Sequence, residues 1–134
     1  MTKLVSTQYL ADLLIDANHR TKELIDGLDN EQIMGPQLPI VNPLLWEICH
    51  VAWFYEQFIL RMLYKKTPIL NNGDDLYDSI DIEHYDRWDL PMLNLAEATK
   101  YIDKIRNKLI DRLGEISHSN LASEQDSFIY QFAT

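Results

Sequence analysis

The sequence predicts an all-α protein, an up-down bundle of four helices with a long loop between the second and the third. Apolar residues recur at helical spacing through three long stretches of the chain. Capping residues stand in front of these stretches, and glycine, proline and asparagine interrupt the chain between them. Because 134 residues is the length of one domain, we expect a single helical domain over residues 1–134.

The first two helices are predicted from periodicity and from one cap. Residues 7–28 carry apolar side chains at i, i+3, i+4 and i+7, and residues 29–42 form a connection that holds two prolines. The second helix is predicted over residues 43–64. Asn42 would be its N-cap, and Pro43 would fill the first helical position, where a missing N–H costs nothing.

The second half of the chain contains a loop and two further helices. Residues 67–93 lack sustained periodicity, and a connection of that length tends to be functional. Asn94 and Glu97 form a capping box before the third helix, which we expect to stop at Gly114. A fourth helix is predicted over residues 123–134, about three turns. We therefore expect an incomplete fourth helix and a chain that is a fragment of a longer protein.

The overall charge argues against two classes of partner. The formal net charge is −9, whereas a nucleic-acid surface needs clustered lysine and arginine. No apolar run reaches the roughly 20 residues of a membrane span, and no signal-peptide pattern opens the chain. A single cysteine, Cys49, excludes an internal disulfide. We expect a cytoplasmic protein that binds neither nucleic acid nor membrane.

His50 is the first candidate site residue. It follows Trp46 by four positions and precedes Trp53 by three, so the three side chains share or border one helix face. Such a histidine is either packed in the core or held as a ligand in a dry site, and core packing is the commoner case. The other three histidines do not stand at metal-ligand spacing, so a metal site needs residues distant in sequence.

Arg87 is the second candidate, inside the segment 83–91. A guanidinium offers paired donors that suit a substrate carboxylate. The alternative is an arginine that ties the long loop to Asp78, Asp81 or Asp89. From the residues alone, this structural alternative is the commoner one.

Two motifs in order resemble a known family. The helix that carries Trp46-x-x-x-His50 is followed, after a long loop, by Leu76-Tyr-Asp-Ser and Arg87-Trp-Asp-Leu-Pro. Together they resemble the N-terminal DinB-like domain of the ergothioneine-biosynthesis sulfoxide synthases. The resemblance implies a DinB-like bundle joined to a C-terminal domain of the formylglycine-generating-enzyme type. The pair holds one non-haem Fe(II) on three histidines and uses O2 to couple a thiol, γ-glutamylcysteine or cysteine, to trimethylated histidine, a betaine.

The resemblance also implies roles for individual residues. His50 takes the position of an iron ligand, and Arg87 that of an arginine in the carboxylate site of the thiol. His84 stands where some members carry a second substrate-binding arginine. Trp46 and Trp53 would keep the pocket dry and hold the imidazole in one rotamer. The family's other two iron ligands form a His-x-x-x-His pair that this chain lacks, so we expect it to be inactive alone and assign no catalytic residue.

Two other functions remain open from the sequence. One is a stand-alone DinB-like thiol transferase or hydrolase that uses a divalent metal held by three histidines. The other is a non-catalytic helical interaction module, in which His50 is a packed core residue.

Overall fold

A computed structural model of the chain describes residues 6–62 and 64–119, with side chains as far as Glu115. Within those ranges every regular element is helical, which confirms the all-α prediction. The elements are α1 (Thr7–Ile25), α2 (Asn30–Met34), α3 (Leu44–Tyr55), a π-helix (Glu56–Arg61), α4 (Gly73–Tyr77), a 3-10 helix (His84–Trp88) and α5 (Leu95–Ser119).

The three long helices enclose the core. α1 packs along α5, where Lys22 Nζ lies 2.8 Å from an oxygen of Asp103 and Asn18 donates to the same carboxylate at 3.1 Å. α3 packs against α5 on another side. Their buried apolar side chains form one cluster, which includes Leu10, Trp46, Ile48, Ala52, Ala98, Ile105, Leu109 and Leu113. Burying this apolar surface is the main force that holds the bundle together.

Capping fixes where two of the helices begin. Ser6 accepts the backbone N–H of Tyr9 at 3.1 Å and so caps α1. The predicted capping box before α5 is confirmed. Asn94 accepts the N–H of Glu97 at 2.8 Å, and Glu97 accepts the N–H of Asn94 at 3.2 Å.

The predicted start of the second helix was wrong by one residue. α3 begins at Leu44 with Pro43 as its N-cap, and no side chain caps it. Asn42 does not cap the helix, because its side chain has other partners. The side-chain amide donates to Glu47, and the side-chain oxygen Oδ1 accepts from Arg87. The stronger, charge-assisted partners therefore outcompete the helix terminus for this side chain.

The predicted second helix is an α-helix only in its first half and continues as a π-helix. α3 ends at Tyr55, and the next six residues form a π-helix, with i→i+5 bonds from Met62 N–H to Gln57 O (3.1 Å) and from Tyr64 N–H to Ile59 O (3.2 Å). A continuous α-helix to Tyr64 was therefore the wrong expectation. The π-helix opens at Glu56, whose carboxylate is buried and bonded to groups outside the helix.

The predicted stop at Gly114 was also wrong. α5 runs through this glycine to Ser119, because Leu109 and Leu113 keep the apolar period and remain buried. The predicted link after Gly114 is thus helical as far as it is described. The predicted fourth helix, residues 123–134, lies outside the described residues.

The two predicted connections contain short helices. α2 lies in the first, where Asp29 and Gln32 form a capping box that sequence reasoning overlooked. The loop 67–93 carries α4 and the 3-10 helix. Across the described ranges, no helix combines the length and apolarity needed to cross a bilayer.

Candidate functional site

Three N–H groups on α3 fix the short helix α4. Trp46 Nε1 donates to the carbonyl oxygen of Leu76 at 2.8 Å, and His50 Nδ1 lies 2.7 Å from that of Tyr77. Trp53 Nε1 donates to Asp74 at 2.8 Å. The carbonyls of Leu76 and Tyr77 belong to the last turn of α4, where a helix lacks internal partners. α3 therefore supplies the groups that satisfy the end of α4.

This contact defines the tautomer of the neutral His50 ring. A carbonyl oxygen can only accept, so Nδ1 of His50 carries the proton that it donates to Tyr77. In the neutral imidazole the other nitrogen, Nε2, then holds a free lone pair. A backbone carbonyl on one ring nitrogen is the usual arrangement behind a metal-binding histidine. The residue as a whole is half-buried.

Aromatic rings hold the imidazole in place. Trp46 stacks on His50 with ring centres 4.6 Å apart and planes 9° apart. Trp53 lies 6.1 Å away at 21°, and Phe54 meets the ring edge at 6.5 Å. Both tryptophans are at least 95% buried, so they cannot turn away from the imidazole without opening the core.

Arg87 lies on the 3-10 helix of the loop 67–93 and is 91% buried. Its Nη1 donates to Asn42 Oδ1 at 2.8 Å, and its Nη2 donates to the carbonyls of Ser79 (3.2 Å) and Ile82 (3.0 Å). Its guanidinium lies 4.1 Å from the centre of the Trp46 ring, a cation–π contact. Arg87 thus ties the loop to Asn42, two residues before the start of α3.

The partners of Arg87 differ from those that the sequence indicated. Asp78, Asp81 and Asp89 were the expected carboxylates, but across the described ranges Arg87 bonds only to neutral oxygens. Its Nε–H is buried and has no partner there. A buried cation that no carboxylate compensates is unfavourable on its own, so an anion bound beside it would be stabilised.

His84 lies on the same 3-10 helix as Arg87. Its Nε2 donates to the carbonyl of Leu38 at 2.7 Å, and its ring packs edge-on against Tyr85 and Trp88 at 5.1 and 5.2 Å. Side chains three residues apart in a 3-10 helix point to one side, so His84 and Arg87 share a side of this element. The structure therefore brings His50 and Arg87 into contact with the same indole, that of Trp46. It places His84 on the same side of the 3-10 helix as Arg87.

Tyr77 was not among the predicted site residues, although it stands inside the Leu76-Tyr-Asp-Ser motif. Its side chain is fully buried, and its hydroxyl accepts the N–H of Leu93 at 3.1 Å. Burial raises the pKa of this phenol above its ordinary value. Burial likewise raises the pKa of the Cys49 thiol to about 11, so this cysteine is an inert core residue.

The described residues fit one ligand of a metal site. His50 offers an unprotonated Nε2, whereas His19 is exposed and pairs with Glu23 at 3.0 Å. No group of three or more histidine, cysteine, aspartate or glutamate side chains in the described part of the chain could hold a metal ion. A site of three such ligands that includes His50 would therefore need at least one group from outside that part.

Comparison with known proteins shows which family and which proteins the chain is similar to. The sequence profile of the DinB superfamily matches residues 13–131. The chain is 29% identical over 123 residues to the hercynine oxygenase of Mycolicibacterium thermoresistibile, covering 90% of this chain and 26% of that protein. The hercynine oxygenase of Mycobacterium tuberculosis is also 29% identical, over 129 residues, covering 95% of this chain and 29% of the relative. The chain thus spans about a quarter of the length of the curated relatives it matches.

Proposed function

Because this chain belongs to the DinB superfamily, we propose that it forms the N-terminal, metal-binding part of an Fe(II)- and O2-dependent sulfoxide synthase. The similarity to two hercynine oxygenases over nearly the whole chain supports this reading. The complete enzyme joins a thiol, γ-glutamylcysteine or cysteine, to the imidazole of trimethylated histidine, as in ergothioneine biosynthesis. A second domain, of the formylglycine-generating-enzyme type, supplies the rest of the site.

One observation carries the proposal, the fixed tautomer of His50. Its Nδ1–H is engaged by the Tyr77 carbonyl at 2.7 Å, and its ring is stacked on Trp46. A ligand nitrogen must be unprotonated and held in a fixed orientation to bind iron, and the Nδ1 contact and the stacking on Trp46 support such a role for Nε2. Trp46 and Trp53 limit ring rotation and exclude water from one side of the imidazole.

The chemistry of the iron is oxidative. When bound, it supplies O2 activation for C–S bond formation and sulfur oxygenation. One oxygen atom leaves as water with the hydrogen atoms of the thiol and of the imidazole C–H bond, and the other becomes the sulfoxide oxygen. The residues described for this chain bind and orient, and none is assigned as an acid or base.

Arg87 and His84 form the proposed subsite for the thiol substrate. The buried guanidinium has no carboxylate partner among the described residues, which supports a role in binding the carboxylate of a thiol such as cysteine. His84 lies on the same side of the short helix. Its Nδ1 can accept a hydrogen bond from the substrate ammonium group, because Nε2 already donates to Leu38.

The experiment is the metal content of the complete gene product, purified without oxygen, for the wild type, His50→Ala and His19→Ala. We expect about one iron per chain in the wild type and in His19→Ala, because His19 is exposed and pairs only with Glu23. His50→Ala should lose the iron, since iron affinity is the sum of its few ligands. Iron retained by His50→Ala, or absent from the wild type, would refute the proposal.

A further inference from the structure

Tyr77 contacts the helix that carries His50 through both its backbone and its side chain. Its carbonyl oxygen accepts the Nδ1–H of His50 at 2.7 Å. Its phenol group lies beside the thiol of Cys49, the residue before His50. Tyr77 is therefore fixed against two consecutive residues of α3.

Tyr77 has a third contact, through its phenol oxygen. It accepts the backbone N–H of Leu93 at 3.1 Å, at the end of the long loop and just before α5. The side chain is fully buried, so water cannot replace this bond. The hydroxyl thus joins α3 to the entry of α5 across the loop 67–93.

This anchoring matters because α4 is only five residues long. A helix of this length has no stability of its own in water. The carbonyl that orients His50 is the last of α4, and its position is set by the contacts of Tyr77 and by the bond from Trp46 to Leu76. Loosening the Tyr77 side chain would therefore move the acceptor on which the His50 tautomer depends.

We propose that Tyr77 is the positioning residue of His50, holding its ring in the Nδ1–H tautomer with Nε2 directed to the ligand side. The tautomer part of this inference stands on the contacts alone. The ligand part rests on the proposed function and deepens it, because a residue outside the ligand set would then tune metal binding. Loss of such an outer partner commonly weakens metal affinity about 10-fold to 100-fold.

The test is 15N NMR of the histidine rings at pH 8, where an ordinary imidazole is neutral. We expect the wild type to show His50 as a single Nδ1–H tautomer. Tyr77→Phe keeps the ring and removes the hydroxyl that accepts from Leu93 and lies beside Cys49, so His50 should change to a mixture of tautomers. Tyr101→Phe is the matched control, since it also deletes a buried hydroxyl bond, the one to Glu56, and leaves the bonds of Tyr77 to His50 and Leu93 in place.

Two results would overturn the inference. One is a Tyr77→Phe spectrum with the wild-type His50 signature, and the other is an equal change in Tyr101→Phe. If Tyr77→Phe does not fold, Cys49→Ala removes only the sulfur contact and should produce a smaller shift in the same direction, and no shift there would count against the inference. Iron titration of the complete gene product separates the two proposals, because an altered tautomer with no iron in the wild type refutes the metal role alone.

Discussion

The guanidinium carbon of Arg87 lies 4.1 Å from the centre of the Trp46 ring. The same indole stacks on His50 at 4.6 Å and donates to the carbonyl of Leu76. A single buried side chain therefore connects the cation of the loop, the imidazole of α3 and the end of α4. A shift of any one of these three groups should therefore change the positions of the other two.

Arg87→Lys is expected to destabilise the fold and loosen the loop. A lysine has one compact ammonium group and cannot reach Asn42, Ser79 and Ile82 together in the planar geometry of a guanidinium. We expect the free energy of unfolding, measured in urea, to fall by about 2 to 4 kcal/mol. Arg20→Lys is the control, since Arg20 forms an exposed pair with Asp16, and it should change stability by less than about 0.5 kcal/mol. An equal loss in both variants would contradict this prediction.

The helices were predictable from the sequence where periodicity and caps agree, and less so elsewhere. The capping box at Asn94 gave the start of α5 correctly, because its two bonds are local. The start of α3 was missed because Asn42 is used by Arg87, 45 residues away. Gly114 was mistaken for a stop because burial of the flanking leucines outweighs the helix preference of one residue.

The sequence predicted which residue types form the candidate site, but not which contacts they make. The spacing of Trp46, His50 and Trp53 indicated one aromatic face, which the structure confirms. α4 packs against that face and has too few residues to show a hydrophobic period. Its position depends on the hydrogen bonds that it accepts from Trp46, His50 and Trp53. Such long-range satisfaction of polar groups leaves no local signal in a sequence.

Removing the hydroxyl of Tyr101 should cost stability through Glu56. The Tyr101 O–H donates to Glu56 Oε1 at 2.5 Å, and the carboxylate is 99% buried with its second oxygen bonded to the N–H of Ile69 at 2.8 Å. In Tyr101→Phe one buried carboxylate oxygen loses its donor, so we expect a loss of about 1.5 to 3 kcal/mol in urea unfolding. Tyr85→Phe, at a half-exposed residue, should be nearly neutral. A Tyr101→Phe variant as stable as Tyr85→Phe would disprove the role of Glu56.

The Asp74 carboxylate should make stability depend on pH in the acidic range. The hydrogen bond from Arg61 and that from Trp53 lower the pKa of Asp74 in the folded state below its ordinary 3.8. A lowered folded pKa stabilises the protein above pH 3.8, and this contribution is lost as the pH falls through the folded value. Because the carboxylate is half-exposed, the contribution at neutral pH is at most about 1 kcal/mol. The stability gap between the wild type and Asp74→Asn should therefore shrink from pH 7 to pH 3, and a constant gap would be the contrary result.

The Cys49 thiol should report unfolding. Its side chain is fully buried, and burial raises its pKa to about 11 from an ordinary value of 9.0. At pH 8 this shift alone lowers the thiolate fraction about 100-fold relative to the unfolded chain. Alkylation by iodoacetamide should be correspondingly slow in buffer and fast in urea, as followed by mass spectrometry. Rapid alkylation in buffer would mean that the contact between α3 and Tyr77 opens easily.

Gly73→Ala and Gly114→Ala should change stability in opposite directions. A Cβ at Gly73 would lie 3.0 Å from Cδ1 of Trp53 and 3.5 Å from Leu70, inside a buried contact. The indole would have to shift and strain its bond to Asp74, so we expect a loss of about 1 to 3 kcal/mol. At Gly114, in α5, an added Cβ meets no described atom within 4 Å, so alanine should stabilise the helix by up to about 1 kcal/mol. Urea unfolding of both variants is the measurement, and a stabilised Gly73→Ala would show that α4 does not depend on close packing against Trp53.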